Sequence, residues 1–260
     1  ALPAVWGKWK EFYGINVEGT ENVLAGCKAH GVPRLVYTST PSVVFDQSDL
    51  CNIDETCPYP ASYNCYYPRT KAIAEKMVLS ANDRDGLVTT SLRPHLVWGP
   101  RDNHLIPKVL QRAKARQLFI VGDGFNKVDI TYVENAADAH LQAADRLVAG
   151  SAVAGQAYFI SQGEPVVLWD FINQILERLG IPRVAKSISY GTARSIGAVL
   201  EMVHALFCLH AEPRMTRFLA AQLAKSHYFD ISKAKRDFGY SPRITTAQGL
   251  ERLVDFIRRQ

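Results

Sequence analysis

Two spacings of apolar residues alternate along the chain and predict strands that are each followed by a helix. Apolar positions three and four residues apart predict helices, and short runs rich in Val, Ile, Leu and aromatic residues predict strands. The predicted strands cover residues 35–37, 87–92, 118–121, 128–133 and 157–160. The predicted helices cover about 20–31, a segment that begins at Tyr67, and 105–115, 135–147, 168–179 and 247–257.

This alternation predicts an α/β protein with a Rossmann-like, doubly wound parallel sheet and helices on both faces. Between residues 46 and 64 two prolines and two cysteines, with a third cysteine at 65, predict a long irregular connection. From about Pro182 the pattern changes to helices and loops. We therefore expect the sheet in residues 1–181 and a smaller, mostly helical lobe in 182–260, with 98–128 contributing to that lobe as a cap.

Composition narrows the classes of function. With 47% apolar and 21% charged residues, the 260-residue chain can bury a full core, which excludes disordered and fibrous proteins. The net charge of +5 is spread along the chain, so it suits an anionic ligand but does not indicate nucleic acid. Five cysteines without a Cys-x-x-Cys spacing favour reduced thiols in a cytoplasmic protein over disulfides or a metal site.

The longest apolar stretch, residues 196–209, is interrupted by Glu201 and His204. It is shorter than the roughly 20 residues that a membrane-spanning helix needs. We interpret it as a helix of the cap, and a peripheral contact of this stretch with a membrane surface stays open.

The candidate chemistry lies on the helix that begins at Tyr67. Lys71 follows four residues later, so a helix places the phenol and the ammonium on one face. A nearby cation favours the phenolate, which would make Tyr67 a proton donor and acceptor near neutral pH. The alternative is an exposed amphipathic pair on a solvated helix.

Polar and rigid residues follow two of the predicted strands, where open α/β sheets place their ligands. The hydroxyl cluster 38–40 follows the strand 35–37, and a hydroxyl there can donate to a substrate carbonyl. Pro94 follows the strand 87–92, and its rigid ring and the backbone amides after it suit a planar ring such as nicotinamide. The neighbouring His95 is interpreted as structural.

These motifs resemble those of the extended short-chain dehydrogenases/reductases, in the branch of the 3β-hydroxysteroid dehydrogenases and sterol-4α-carboxylate 3-dehydrogenases. The matching segments are NVEGT at 16–20, PRLVYTST at 33–40, YPRTK at 67–71, RPHLVWGP at 93–100, residues 128–135 and DFGYSP at 237–242. Within that branch the chain is most similar to bacterial 2-alkyl-3-oxoalkanoate reductases of olefin biosynthesis. The segments behind that similarity are TSTPSV at 38–43, DNHL at 102–105, VGDG at 121–124 and TRFL at 216–219.

The resemblance implies an oxidoreductase that uses NAD or NADP to interconvert a secondary alcohol and a ketone on a hydrophobic, lipid-like substrate, most closely a 2-alkyl-3-oxoalkanoate. Residues 1–181 would then belong to the nucleotide-binding domain and 182–260 to the substrate-binding lobe. It further implies a homodimer formed through helices that include the one bearing Tyr67. A 3β-hydroxysteroid or sterol dehydrogenase, a nucleotide-sugar epimerase or dehydratase, and a non-catalytic member of the family remain alternatives.

By position, the resemblance implies that Tyr67 is the catalytic acid and base, that Lys71 activates it and anchors the ribose, and that Thr40 is the catalytic hydroxyl. Asn16 would support the catalytic helix. The other implied cofactor contacts are Thr38, Ser39, Pro94 and Val97, and the expected substrate contacts are Ser42, Trp98 and Asn103.

The resemblance also implies a strand, a Gly-x-x-Gly-x-x-Gly turn and a helix that hold the cofactor pyrophosphate. This sequence does not contain them. Gly122 and Gly124 are followed by Lys127 where a third glycine would stand, and we interpret them as a turn. We therefore expect the sequence to begin after the fourth strand of the nucleotide-binding domain, without the segment that distinguishes NAD from NADP.

Overall fold

Short parallel strands, linked by helices, form the centre of the computed structural model, which describes residues 1–259. The strands are β1 (Arg34–Thr38), β2 (Leu50–Ile53), β3 (Val88–Pro94), β4 (Val97–Trp98), β5 (Ile120–Val121), β6 (Lys127–Val128), β7 (Thr131–Tyr132), β8 (Ala157–Ile160), β9 (Val166–Val167), β10 (Ser187–Ile188) and β11 (His227–Phe229). The helices are α1 (Trp9–Tyr13), α2 (Gly19–Ala29), α3 (Tyr66–Ser80), α4 (Leu105–Lys114), α5 (Val133–Arg146), α6 (Leu168–Arg178), α7 (Tyr190–Leu206), α8 (Arg217–Ala224), α9 (Ser232–Phe238) and α10 (Thr246–Arg258). A π-helical turn, Gly14–Glu18, joins α1 to α2.

The main sheet has the strand order β1–β3–β8, and both pairs of strands are parallel. Strand β3 lies in the middle, and all seven of its residues are buried, as expected for a strand covered on both faces. Helix α3 connects β1 to β3 and packs against β3, whereas α5 packs against β1 and β3. The predicted α/β class with a parallel sheet is confirmed.

A second sheet corrects the prediction of an irregular connection over residues 46–64. Strand β2 lies within that connection and pairs with β11, and the full strand order is β2–β11–β6–β9. The sequence LCNI of β2 has no alternation that would reveal a strand, and its partner lies far along the chain. The predicted extended run 128–133 is likewise wrong in part, because it divides into β6 and β7 and ends where α5 begins.

Two clusters of buried side chains form the core. One contains Phe159 of the main sheet together with Phe229 and Tyr240, and the other contains Trp98 together with Leu250. Both clusters combine residues from before and after position 181, so elements of the C-terminal lobe complete the core beneath the sheet. The domain boundary at 181 stays a prediction. No helix in residues 1–259 has the length and apolar character needed to cross a membrane.

Candidate active site

Helix α3 places the candidate acid–base residue in its first turn. Cys65 precedes the helix in an extended conformation, Tyr66 is the first helical residue, and Tyr67 and Pro68 follow. A proline is tolerated here because the first backbone N–H groups of a helix have no intrahelical acceptor. Lys71 lies one turn later on the buried side of the helix.

Lys71 is held at the carboxyl end of β1. Its Nζ donates to the Tyr37 phenol oxygen at 2.6 Å and to the Thr38 carbonyl oxygen at 2.7 Å. Burial lowers the pKa of Lys71 to about 8, and the nearby Glu75 carboxylate acts in the opposite direction. An ammonium has three N–H donors, so these two hydrogen bonds leave one for a ligand.

The Tyr67 phenol stays protonated, contrary to the expectation that a neighbouring ammonium would favour its anion. Tyr67 packs against the first core cluster, and this burial raises the pKa of the phenol. A hydrogen bond with the Thr40 hydroxyl acts in the opposite direction but is the smaller effect. Lys71 binds Tyr37 and Thr38, so burial rather than the ammonium is the largest influence on the pKa of Tyr67, and the role of Tyr67 as proton donor and acceptor stays a prediction.

The structure brings Thr40, Ser42 and Tyr67 together. The Thr40 Oγ1 accepts from the Ser42 backbone N–H at 3.2 Å and so caps the short 3-10 turn Pro41–Val44. It also lies 3.3 Å from the Ser42 hydroxyl. Because the same hydroxyl lies near enough to the Tyr67 phenol to lower its pKa, two protic groups lie close together at the end of the sheet.

The two residues before Thr40 have different surroundings. The Ser39 hydroxyl is buried near the Glu75 carboxylate, but among the described residues it has no hydrogen bond of good geometry. Thr38 is exposed, and its hydroxyl lies 2.7 Å from His140 Nε2. The other ring nitrogen, Nδ1, lies 2.7 Å from the Ala136 carbonyl oxygen and must donate to it. In the neutral ring Nε2 therefore accepts a hydrogen bond from Thr38.

The segment after β3 contains one expected contact that the structure excludes. Pro94 is the last, buried residue of β3, and Val97 is partly exposed beyond it. Trp98, however, is 1% exposed, and its ring packs edge-on against Tyr132 and Phe171. The expectation that Trp98 lines the substrate is therefore wrong in this structure, because its indole is part of the second core cluster. Asn103 lies exposed in the turn before α4.

A buried ion pair beside the site was missed by the sequence analysis. The Arg93 Nη2 and Nε donate to the two carboxylate oxygens of Glu75 at 2.7 and 3.0 Å. The Tyr59 and Ser91 hydroxyls donate to the same carboxylate at 2.6 and 2.8 Å. Glu75 follows Lys71 by one helical turn and Arg93 precedes Pro94, so the pair joins the helix of Tyr67 to strand β3. An acidic residue on a buried helix face was the signal available in the sequence.

The π-helical turn supports α3 from the other side, as the resemblance implied. Asn16 lies in this turn and is buried, and its Nδ2 donates to the Thr70 hydroxyl of α3 at 3.0 Å. The wider helical turn brings the Asn16 side chain towards α3, and such π-turns occur often at functional sites.

The interpretation of His95 as a structural residue agrees with its surroundings. His95 Nε2 lies 2.6 Å from Nδ1 of His227, and both rings are buried. Burial lowers the pKa of both imidazoles, so the pair is neutral and joins the end of β3 to β11.

The carboxyl ends of β1 and β3 fit one half of a dinucleotide cofactor. Lys71 has one N–H available, and Tyr67 and Thr38 contribute hydroxyls at the same sheet edge, where Pro94 is the buried last residue of β3. In residues 1–259 no glycine-rich turn joins a strand to a helix, so the part described does not supply a cradle for the pyrophosphate. The residues present thus fit the nicotinamide–ribose half of the cofactor.

The amino-acid sequence is similar to those of known reductases and dehydrogenases. The chain is 48% identical over 256 residues to the 2-alkyl-3-oxoalkanoate reductase of Stenotrophomonas maltophilia, covering 97% of this chain and 77% of that protein. It is 35% identical over 251 residues to the human sterol-4-alpha-carboxylate 3-dehydrogenase, decarboxylating, covering 95% of this chain and 67% of that protein. The chain thus spans two thirds to about three quarters of the lengths of these two relatives.

A solved structure shows the same fold at lower identity. UDP-glucuronic acid 4-epimerase from Bacillus cereus, in complex with UDP-glucuronic acid and NAD, superposes with a TM-score of 0.71 at 20% identity and covers all of this chain and 72% of that chain. Residues 4–189 match the 3-beta hydroxysteroid dehydrogenase/isomerase family. The chain therefore belongs to that family, whose members are NAD(P)-dependent oxidoreductases.

Proposed function

We propose that the protein is an NAD(P)-dependent reductase that converts the ketone of a 2-alkyl-3-oxoalkanoate to a secondary alcohol. The observation that carries this proposal is the proximity of the Thr40 hydroxyl to the buried Tyr67 phenol, one helical turn before Lys71. The identity of 48% with a reductase of that name supports this choice of substrate.

Each of these residues has a role that follows from its contacts. When bound, the nicotinamide of the cofactor would supply the hydride. Tyr67 donates its proton to the substrate oxygen, and its raised pKa keeps that proton available until negative charge develops. Thr40 donates a hydrogen bond to the same oxygen. Lys71, fixed by Tyr37 and Thr38, holds a ribose hydroxyl with its third N–H.

The matched pair Tyr67→Phe and Tyr13→Phe tests this proposal in the full-length protein. Both changes remove one phenolic hydroxyl and keep the ring, but Tyr13 is partly exposed, and its ring packs against Trp9 of the same helix. We expect Tyr67→Phe to lower kcat by roughly 10²- to 10⁴-fold and Tyr13→Phe to leave it nearly unchanged. Equal activities of the two variants would reject Tyr67 as the acid.

The same assay separates the alternatives. The human relative's name makes a sterol dehydrogenase the second candidate, and 3β-hydroxysteroids are therefore assayed beside 2-alkyl-3-oxo acids with both NADH and NADPH. Turnover of steroids alone would favour the second candidate. A full-length protein that turns over neither class, and that does not bind dinucleotide, would favour a non-catalytic member of the family.

We further propose that the apolar face of α7 contacts a membrane surface. Val199, Met202 and Leu206 recur at helical spacing, and each is more than half exposed. Leu206→Glu should weaken co-sedimentation with phospholipid vesicles, whereas Leu141→Glu, an equivalent change on the exposed side of α5, should not. Equal binding of both variants would reject this contact.

We also propose a homodimer formed through α2 and α3. These helices pack against each other, and Ile15 and Val23 beside them are exposed apolar residues. Sedimentation equilibrium should give twice the mass of the chain, and Val23→Glu should shift it towards one copy. A single-copy mass for the unmodified protein at micromolar concentration would reject the dimer.

A further inference from the structure

A cavity of about 600 Å³ opens at the start of α3, between that helix, the N-terminal segment and the helix pair α7 and α8. Its volume lies in the range of small-molecule sites, roughly 300 to 1,000 Å³. Most of its wall is apolar and aromatic, and it includes Trp9, Phe12, Tyr66, Met202 and Phe218. We call this cavity the α3–α7 groove.

The α3–α7 groove adjoins the candidate active site. Cys65 and Tyr66 line it, and Tyr67 is the next residue along α3. Phe218, on the opposite wall, also belongs to the core cluster against which Tyr67 packs. The groove and Tyr67 thus share one helix end and one core cluster, although Tyr67 itself does not line the groove.

The charged residues of the groove favour a monoanion. Lys8 and Arg217 are cationic, and Glu201 is the one acidic residue in the wall, which leaves one net positive charge. Glu201 accepts from both the backbone N–H and the Nε of Arg217, each at 2.7 Å. This contact fixes the guanidinium at the wall, whereas the Lys8 ammonium stays exposed at the rim.

We propose that the α3–α7 groove binds one alkyl chain of a long-chain monocarboxylate, with the carboxylate directed towards Lys8 and Arg217. This assignment rests on the proposed function, because it gives a place to one chain of the same substrate. The apolar wall contributes affinity in proportion to the chain length it covers, and the two cations account for selection of an acid over a neutral lipid.

Two of the four tryptophans make the groove observable. Trp6 and Trp9 line it, whereas Trp98 and Trp169 are buried in the second core cluster. A fatty acid brominated along its chain quenches indole fluorescence on contact, and it is titrated below its critical micelle concentration against the full-length protein without cofactor. We expect saturable quenching of part of the emission, with affinity increasing about fourfold for each added CH₂ until the groove is filled.

Two substitutions on one helix provide the matched test. Met202 lines the groove, whereas Leu206, one turn later on α7, does not, and both are well exposed. We expect Met202→Glu to weaken binding of the brominated acid by about tenfold or more, and Leu206→Glu to change it by less than about twofold. Lys8→Gln should lower the ratio of the affinity for the brominated acid to the affinity for its methyl ester.

The results separate this inference from the proposed function. No quenching, or equal weakening by Met202→Glu and Leu206→Glu, overturns the groove assignment even if turnover depends on Tyr67. Binding that is lost only in Met202→Glu supports the groove even if the full-length protein shows no reductase activity, because the titration needs neither cofactor nor turnover.

Discussion

Removal of the Glu75 carboxylate should destabilise the fold far more than loss of a surface ion pair. Glu75 is fully buried, and it accepts hydrogen bonds from Arg93, Tyr59 and Ser91. In Glu75→Ala the Arg93 guanidinium, itself 3% exposed, remains buried without its counter-ion. Breaking a buried pair from one side costs about 3 to 5 kcal/mol.

Thermal unfolding followed by far-ultraviolet circular dichroism measures this cost. In a chain of this size 1 kcal/mol shifts the Tm by about 2 to 4 °C, so Glu75→Ala should unfold roughly 6 to 20 °C below the unmodified protein. Glu134→Ala is the control, because the pair of Glu134 with Arg252 is about half exposed, and solvent screening leaves such a pair little weight in stability.

The double variant Glu75→Met with Arg93→Met tests whether the cost comes from losing the ion pair itself or from leaving the Arg93 charge buried without a partner. It removes both charges and keeps apolar volume, so it should recover much of the stability that Glu75→Ala loses. If Glu75→Ala and Glu134→Ala lower the Tm equally, or if the double variant is less stable than Glu75→Ala, the reasoning from burial is refuted.

Three further outcomes follow from single sites. Burial lowers the pKa of Lys71 to about 8, so the affinity of the full-length protein for dinucleotide should fall as the pH rises through 8, and a flat profile up to pH 10 would contradict a role for the ammonium. Burial raises the pKa of Asp129 to about 6. Between about pH 4 and pH 6 the carboxyl is therefore protonated in the folded protein but ionised in the unfolded chain. The protonated carboxyl therefore favours the folded state fully below about pH 4, and this stabilisation is lost by about pH 6. Asp129→Asn cannot titrate, so its free energy of unfolding in urea should rise relative to that of the unmodified protein between pH 4 and pH 6. A Cβ on Gly197 would lie 2.6 Å from the backbone of Thr216, so Gly197→Ala should lower the free energy of unfolding, measured in urea, by about 1 to 3 kcal/mol. Gly191→Ala, whose Cβ would meet nothing closer than 3.8 Å, should not lower it.

Local patterns were sufficient for most helices and for the longer strands. The apolar spacing after Tyr67 predicted α3, and the run before Pro94 predicted β3, because both elements bury a repeating set of side chains along one segment. The same reasoning placed Thr40 and Pro94 at the carboxyl ends of neighbouring parallel strands, where the structure has them. The contact of Thr40 with Tyr67 then follows from the position of α3 beside that sheet edge.

The contacts of the candidate site were less predictable. Lys71 was expected beside Tyr67, but its ammonium binds Tyr37, which lies 34 residues earlier in the chain. Trp98 has the size and apolar character of a pocket residue, and only its packing against Phe171 shows that it belongs to the core. In each case the partner comes from a distant segment, so neither spacing nor residue type indicates it.

Residue order along this chain thus establishes the α/β class, the bounds of its main helices and the identity of the acid–base candidates, because these depend on neighbours within a few residues. Three-dimensional packing establishes the burial that raises the pKa of Tyr67, the partners of Lys71, the pairing of β2 with β11 and the ion pair between Glu75 and Arg93. Those properties depend on exclusion of water and on contacts between segments that are distant in sequence, and both arise only when the chain is folded.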